Sequence, residues 1–233
     1  RDLVRSRGLG DVYKRQAYDN AAEWMLREFR SWGIEAHLEE AGELPVGFNR
    51  GPWFGRLIGG DQPMNLHFVT PSYTSGTKGL QRGHVLIEPA TEAELKRMRH
   101  QLKGAWVLVS GKNVGWPVDH SAKADSIRNA IKAENVKIEQ MNDSLMKENW
   151  TKGAHHKTIP LRRMSGLFYK EMCEVGVLGF IQSASVPLRA LYDRPLVNDK
   201  NTTFDNLPEV CDIKLDEHQY AVCLLYTSDA ADE

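Results

Sequence analysis

The chain reads as an α/β fold interrupted by a long charged helix. Three observations predict this. Two continuous apolar runs, Ala105-Trp106-Val107-Leu108-Val109 and Val177-Leu178-Gly179-Phe180-Ile181, have the length and branched content of buried strands. Each run follows a segment whose apolar residues recur at helical spacing, and Gly104 or Gly176 stands at the junction. Between the two runs, residues 122–149 shift to long charged side chains.

In chain order, the first element is a helix. Asn20 with Glu23 fits a capping box, and Ala22, Met25, Leu26, Phe29 and Trp32 form one apolar face. Gly33 is placed for a left-handed cap, and Ile34, Ala36 and Leu38 alternate with Glu35, His37 and Glu39 as in a strand. A Gly- and Pro-rich loop over residues 42–51 follows. Short strands are expected at residues 53–58, 65–69 and 84–87, with a turn cluster at 75–79. Thr91 and Glu94 form a second capping box, opening a helix that turns Leu95, Met98 and Leu102 inward. After the strand at 105–109, residues 122–149 carry Ile127, Ile131, Glu134, Ile138, Met141 and Leu145 at alternating steps of four and three. That spacing predicts a heptad-like seam with one charged interruption, laid on a neighbouring element or serving as a partner-binding arm. Ordinary α/β patterning resumes at a helix over 167–175 and a strand over 177–181. Residues 187–208 read as irregular, with an exposed turn at 198–201. A strand at 210–213 and a helix beginning at Leu215 close the pattern. The expected core is Leu66, Phe68, Val85, Ile87, Val107, Val109, Leu178, Phe180 and Ile181.

Composition excludes several classes. Thirty Lys and Arg balance 31 Asp and Glu, a net charge of -1, without the basic excess of a nucleic-acid binder. A hydrophobic content of 41% excludes wholesale disorder. No apolar run approaches the roughly 18 residues of a membrane span. Three cysteines are too few for a disulfide scaffold.

Both ends read as foreign. Residues 6–16 resemble a translated transposase sequencing adapter, and residues 223–233 resemble the opposite adapter read outwards, the pattern of a metagenomic read. Residues 1–16 and 223–233 are therefore expected to pack against nothing large. That makes Cys223 artificial and places any signal peptide out of view. Residues 17–222 are the expected biological part.

Candidate chemistry is sparse. No P-loop, Gly-x-Gly-x-x-Gly, Gly-x-Ser-x-Gly or His-Glu-x-x-His occurs. His155-His156 lies in a basic loop and reads as solvated rather than metal-binding. Asp119-His120 could pair carboxylate with imidazole, but a helix start follows, so an N-cap role for Asp119 or Ser121 is expected. Glu39-Glu40 could imitate a bridging carboxylate pair, yet adjacent strand residues point to opposite faces. Cys173 and Cys211 sit on apolar-patterned elements and read as buried thiols, a disulfide between them being the alternative.

Several stretches together resemble a family of secreted zinc exopeptidases, the one containing plasma glutamate carboxypeptidase (carboxypeptidase Q) and related bacterial aminopeptidases. Residues 17–36 resemble its opening helix and strand, and Pro45-Val46 with Arg50-Gly51 the following loop. Residues 83–88, 92–95, 102–109 and 174–181 then follow the order of its protease-associated domain, and Leu207 to Ile213 resemble that domain's late strand. The resemblance implies that residues 17–64 open an α/β/α zinc exopeptidase. Residues 65–222 would then be a truncated protease-associated domain, strands with flanking helices, carrying a helical insertion at about 118–163. It further implies a hydrolase acting on peptides, two zinc ions in the full-length parent and a secreted or periplasmic location, and it allows a homodimer. In the family the zinc ligands are a His-x-Asp, a bridging Asp, a Glu-Glu and a further carboxylate and His, all following the accessory domain. No position here matches them, so the expected catalytic, cofactor-binding and metal-binding residues are none, and the piece is expected to be inactive alone. A stand-alone protease-associated module that binds peptides is the second reading. An interaction protein working through its charged helix is the third.

Overall fold

The structure, a computed structural model, describes residues 9–39, 46, 51–58, 63–114, 117–188, 203–208 and 210–229. The chain divides into two compact units, Arg1–Trp53 with Val197–Asn206, and Phe54–Leu196 with Leu207–Glu233.

The first unit contains helix α1, Leu9–Ser31. Asn20 lies inside this helix and so is not its cap. Lys14, Arg15, Gln16 and Ala17 are good helix formers with no breaker after Gly10, and the helix runs back through them. Its other end is as expected. Gly33 adopts φ 79°, its N–H reaches Arg30 O at 3.0 Å, and the Ile34 N–H reaches Phe29 O at 3.0 Å. This is a Schellman closure, which a side chain with Cβ would strain. The alternating run after Gly33 pairs with no strand among the described residues, because a strand pattern without a partner edge forms no ladder. Ala22 and Leu26 are half-buried, whereas Met25, Phe29 and Trp32 are exposed. The expected loop at 42–51, apart from Val46 and Gly51, and the expected turn at 198–201 lie outside the described residues.

The second unit is mixed α/β. Strands β1 (Arg56–Leu57) and β2 (Met64–Asn65) form a two-stranded antiparallel ribbon. A five-stranded sheet contains β3 (Phe68–Val69), β4 (Val85–Ile87), β5 (Trp106–Asn113), β6 (Gly179–Ala184) and β7 (Cys211–Leu215), in the order β3-β7-β6-β5-β4. The last four are mutually parallel, and β3 runs antiparallel to β7. Helices α2 (Glu92–Leu102), α3 (Ala122–Lys152), α4 (Tyr169–Val175) and α5 (Glu217–Asp229) complete it.

Local signals explain the parallel core. Thr91 Oγ1 accepts from Glu94 N at 3.1 Å and Glu94 Oε2 accepts from Ala90 N at 2.8 Å, a capping box displaced by one residue. Helices α2 and α4 each end on a glycine with positive φ, and the Gly104 N–H donates to Gly176 O at 2.9 Å. The two helix-Gly-strand units are thus stitched where β5 and β6 begin. With each parallel strand beside its predecessor, right-handed crossovers bring α2 and α4 to one face. There Leu95, Leu102 and Met172 pack on Val107, Val109 and Phe180. On the opposite face, Tyr220 and Cys223 of α5 pack with Leu108, Ile181, Cys211, Ile213 and Leu215.

Of the nine expected core residues, Val107, Val109, Phe180 and Ile181 are buried. Leu66, Phe68, Val85 and Leu178 are half-buried, and Ile87, on the edge strand β4, is exposed. Cys223 corrects one expectation. It is 3% exposed within the core, so this residue does pack, although Leu224, Leu225 and Tyr226 face outward.

Helix α3 forms as expected and runs 31 residues, about 46 Å at 1.5 Å per residue. Ser121 is its N-cap, accepting from Ala124 N at 3.2 Å, and Gly153 with φ 63° is its C-cap. The seam is rotated from the expected one. Ile131, Ile138 and Leu145 turn inward, but Ile127, Glu134 and Met141 are exposed. Their places on the inward stripe are taken by Ala124, Arg128, Asn135, Asn142 and Asn149.

Candidate functional site

In open α/β sheets, ligand sites form outside the carboxyl ends of the parallel strands. Here the sheet face leading up to that edge holds a buried polar cluster. Asp212 and Lys214 are two apart on β7, so they share a face, and the β6–β7 register sets Gln182 beside Lys214. Lys214 is 0% exposed. Its ammonium lies 2.6 Å from Asp212 Oδ1, an ion pair off the hydrogen-bond direction, and donates to Gln182 Oε1 at 3.1 Å. Asp212 Oδ2 accepts from Val118 N at 2.6 Å. Gln182 Nε2 and Ser165 Oγ both donate to Ser110 O, at 3.1 and 2.5 Å. Glu88, just past β4, takes the Ser110 N–H on one oxygen and the Gly166 N–H on the other, each at 2.7 Å.

These bonds form a clasp. Val118 stands where the chain leaves the sheet toward α3, and Ser165 and Gly166 stand where it returns. Asp212 holds the outgoing strand, while Glu88 and Ser110 hold the incoming one. Arg128, 2% exposed, adds a second tie, donating to Asp119 O and lying 3.0 Å from Asp125 Oδ1, with its guanidinium carbon 5.3 Å from the Tyr169 ring centre. Lys132 pairs with Glu171 and lies 5.1 Å from the centre of the Phe168 ring. The root of the insertion is therefore fixed to the sheet by charge-assisted hydrogen bonds and cation–π contacts.

Burial sets the protonation chemistry. It pulls the Lys214 ammonium below the usual lysine range, against the opposing attraction of Asp212. It pushes the Cys211 thiol up to about 11, the nearby Asp212 carboxylate adding to the effect. Tyr220, whose hydroxyl donates to Val109 O at 2.9 Å, is pushed up to about 12 by burial, then by Glu88 and Cys223. For Asp119, burial acts upward, but hydrogen bonds from Ser121 and the charges of Arg128 and His120 bring the carboxyl below its ordinary range. Thiols held this high are protonated at neutral pH and poor nucleophiles.

Further along the insertion, α3 grips the returning chain by three side-chain amides. Asn135 Nδ2 donates to Arg162 O at 2.9 Å and its Oδ1 accepts from Arg162 N at 2.8 Å. Asn142 repeats the pair with Ile159 at 2.9 and 2.7 Å. Asn149 repeats it with His156 at 2.9 and 2.8 Å. The rungs are seven residues apart on the helix and three apart on the extended segment, which runs antiparallel to it.

The sequence candidates do not converge. His155 and His156 are exposed, and His156 Nε2 lies 3.3 Å from Glu148 Oε2. Asp119 Oδ1 accepts from Ser121 N at 2.9 Å. His37 Nε2 lies 2.7 Å from Glu39 Oε1, and Glu40 is outside the described residues. Cys173 packs on the α2 and α4 face and Cys211 on the α5 face, so the sheet stands between them and no disulfide joins them. Among the described residues no three His, Cys, Asp or Glu side chains are placed to hold a metal ion. A two-zinc centre does not fit the residues described. Asp212, Lys214, Gln182 and the three asparagines were missed by sequence reasoning; the seven-residue spacing of Asn135, Asn142 and Asn149 was the available signal. No helix among the described residues is long and apolar enough to cross a membrane. Compared with family models, curated proteins and solved structures, the chain matches none.

Proposed function

We propose that this chain is the accessory, protease-associated part of a zinc-dependent exopeptidase, exported to the periplasm or outside the cell. In the parent protein this part shapes the cleft for a peptide substrate, and the zinc-binding residues lie on other segments. The observation that carries the accessory role is the clasp: the carboxyl edge of the parallel strands, where an α/β enzyme keeps its chemistry, is filled by the chain's own root contacts. The order of elements supports the family reading. The stretch at 102–109 runs from the end of α2 into β5, that at 174–181 from the end of α4 into β6, and that at 207–213 enters β7, each as the resemblance expects. A second reading, a peptide-binding module without catalysis, draws on the asparagine row of α3.

The test compares residues 1–233 with the full-length parent by isothermal titration of zinc and by hydrolysis of dipeptides. The proposal expects tight zinc binding and turnover from the parent alone. Turnover by residues 1–233 overturns the accessory role, and a parent that neither binds zinc nor cleaves peptides overturns the family reading.

A further inference from the structure

We propose that the asparagine row of α3 is a receptor for the main chain of an extended polypeptide, and that residues 154–163 are the occupant it carries in cis. This inference does not depend on the exopeptidase reading.

The helix and the extended segment share one repeat length. Seven helical residues advance about 10.5 Å at 1.5 Å each. Three residues of polyproline-type or extended chain advance about 9 to 10 Å. A row of identical amides at heptad spacing therefore meets every third residue of an extended chain in phase, and His156, Ile159 and Arg162 are those residues. A threefold repeat is also what brings the N–H and C=O of every third residue to the same side. Pro160 falls between rungs, where its missing N–H is not called upon.

The row also reads only what the main chain offers. Each asparagine takes one donor and one acceptor from a single residue, a pattern that any residue except proline presents. The side chains of His155, His156, Lys157, Thr158, Pro160, Arg162 and Arg163 are all exposed. Only Ala154, Ile159 and Leu161 are half-buried. Recognition is thus by the backbone, with apolar side chains near the middle rung as the sequence requirement. Main-chain pairing with shallow side-chain demands is the logic of a receptor for extended peptides. The ligand class is an extended peptide lying antiparallel to α3 with one or two apolar residues at its centre. The left-handed Gly153 between helix and segment is the turn that folds the cis occupant back.

The experiment uses the full chain with residues 155–162 replaced by Gly and Ser, and a fluorescein-labelled, end-blocked peptide of residues 154–163. Fluorescence anisotropy should show saturable binding to the replaced chain. The unaltered chain should bind about tenfold or more weakly, because its row is filled. Adding N135A, N142A and N149A to the replaced chain should cost at least the same factor, given two hydrogen bonds per rung. A peptide keeping Ile159 and Leu161 but with its charged residues changed to Ser should bind comparably. Binding that is indifferent to the three asparagines, or absent from a replaced chain with unchanged helical circular dichroism, overturns the proposal. Should the replaced chain lose its helix, hydrogen exchange on the otherwise unaltered chain decides. There N142A should speed exchange of the Ile159 amide about tenfold while Leu108 and Phe180 change little. An unchanged Ile159 rate overturns the proposal.

Discussion

The clasp makes a prediction about its two buried charges. Lys214 and Asp212 are buried together, so removing either leaves the other without its counter-charge. In D212N the orphaned ammonium escapes by losing its proton. With an ordinary lysine value near 10.5 in the unfolded chain, that costs about 3 kcal/mol at pH 8 and under about 1 kcal/mol at pH 10. The folded pKa is depressed, so the unfolded chain binds more protons between the two values, and stability relative to wild type rises with pH. K214M leaves the Asp212 carboxylate buried without its counter-charge, which should cost about 3–5 kcal/mol. The double variant D212N/K214M keeps an oxygen for the Val118 N–H and should be less destabilised than K214M alone. Urea unfolding followed by circular dichroism at pH 6, 8 and 9.5 measures all four chains. D212N should recover toward alkaline pH, as the lowered Lys214 value requires. A D212N deficit that stays constant from pH 6 to 9.5, or a K214M chain as stable as wild type, would refute the idea that the buried pair is ionised and mutually compensated.

Three further outcomes follow from the same geometry. Gly176→Ala places a Cβ at φ 94°, and thermal melting should show a loss of about 1–2 kcal/mol. Ser121→Ala removes the bond to Ala124 N and should cost about 1 kcal/mol, read as a lower urea midpoint with unchanged slope. Cys211, raised from about 9 to about 11, keeps its proton in the folded chain while the unfolded chain loses it. Stability should therefore fall by about 2–3 kcal/mol between those values, and Cys211→Ala should flatten that decline in an alkaline titration.

Elements with their own punctuation were legible in the sequence. Helices α2 and α4 and strands β5 and β6 carry helical spacing, a glycine stop and an apolar run in succession, and each formed where expected. The start of α3 at Ser121 was legible too, while its end lies at Lys152, three residues past the expected 149, where Gly153 caps it. What failed were readings that needed a partner. The alternation after Gly33 pairs with no strand among the described residues, and Asn20 is an ordinary helical residue once the chain before it is also helical. The seam of α3 was misplaced because apolar residues were assumed to face inward. Asn135, Asn142 and Asn149 are drawn inward instead by backbone groups that the sequence does not display. Lys214 was hidden in the same way. An Asp-Ile-Lys run reads as a half-solvated strand, and only the register beside Gln182 and the loop carrying Val118 make burial of both charges tolerable.

The claim that this chain is the accessory part of a zinc exopeptidase is tested most directly by sequencing the source gene across both ends of residues 17–222. The account predicts that residues 1–16 and 223–233 are not encoded there. It also predicts that the reading frame past Val222 continues into a His-x-Asp and then a Glu-Glu, the ligands and general base of a two-zinc centre. A reading frame that stops soon after Val222, or continues without those residues, would contradict it.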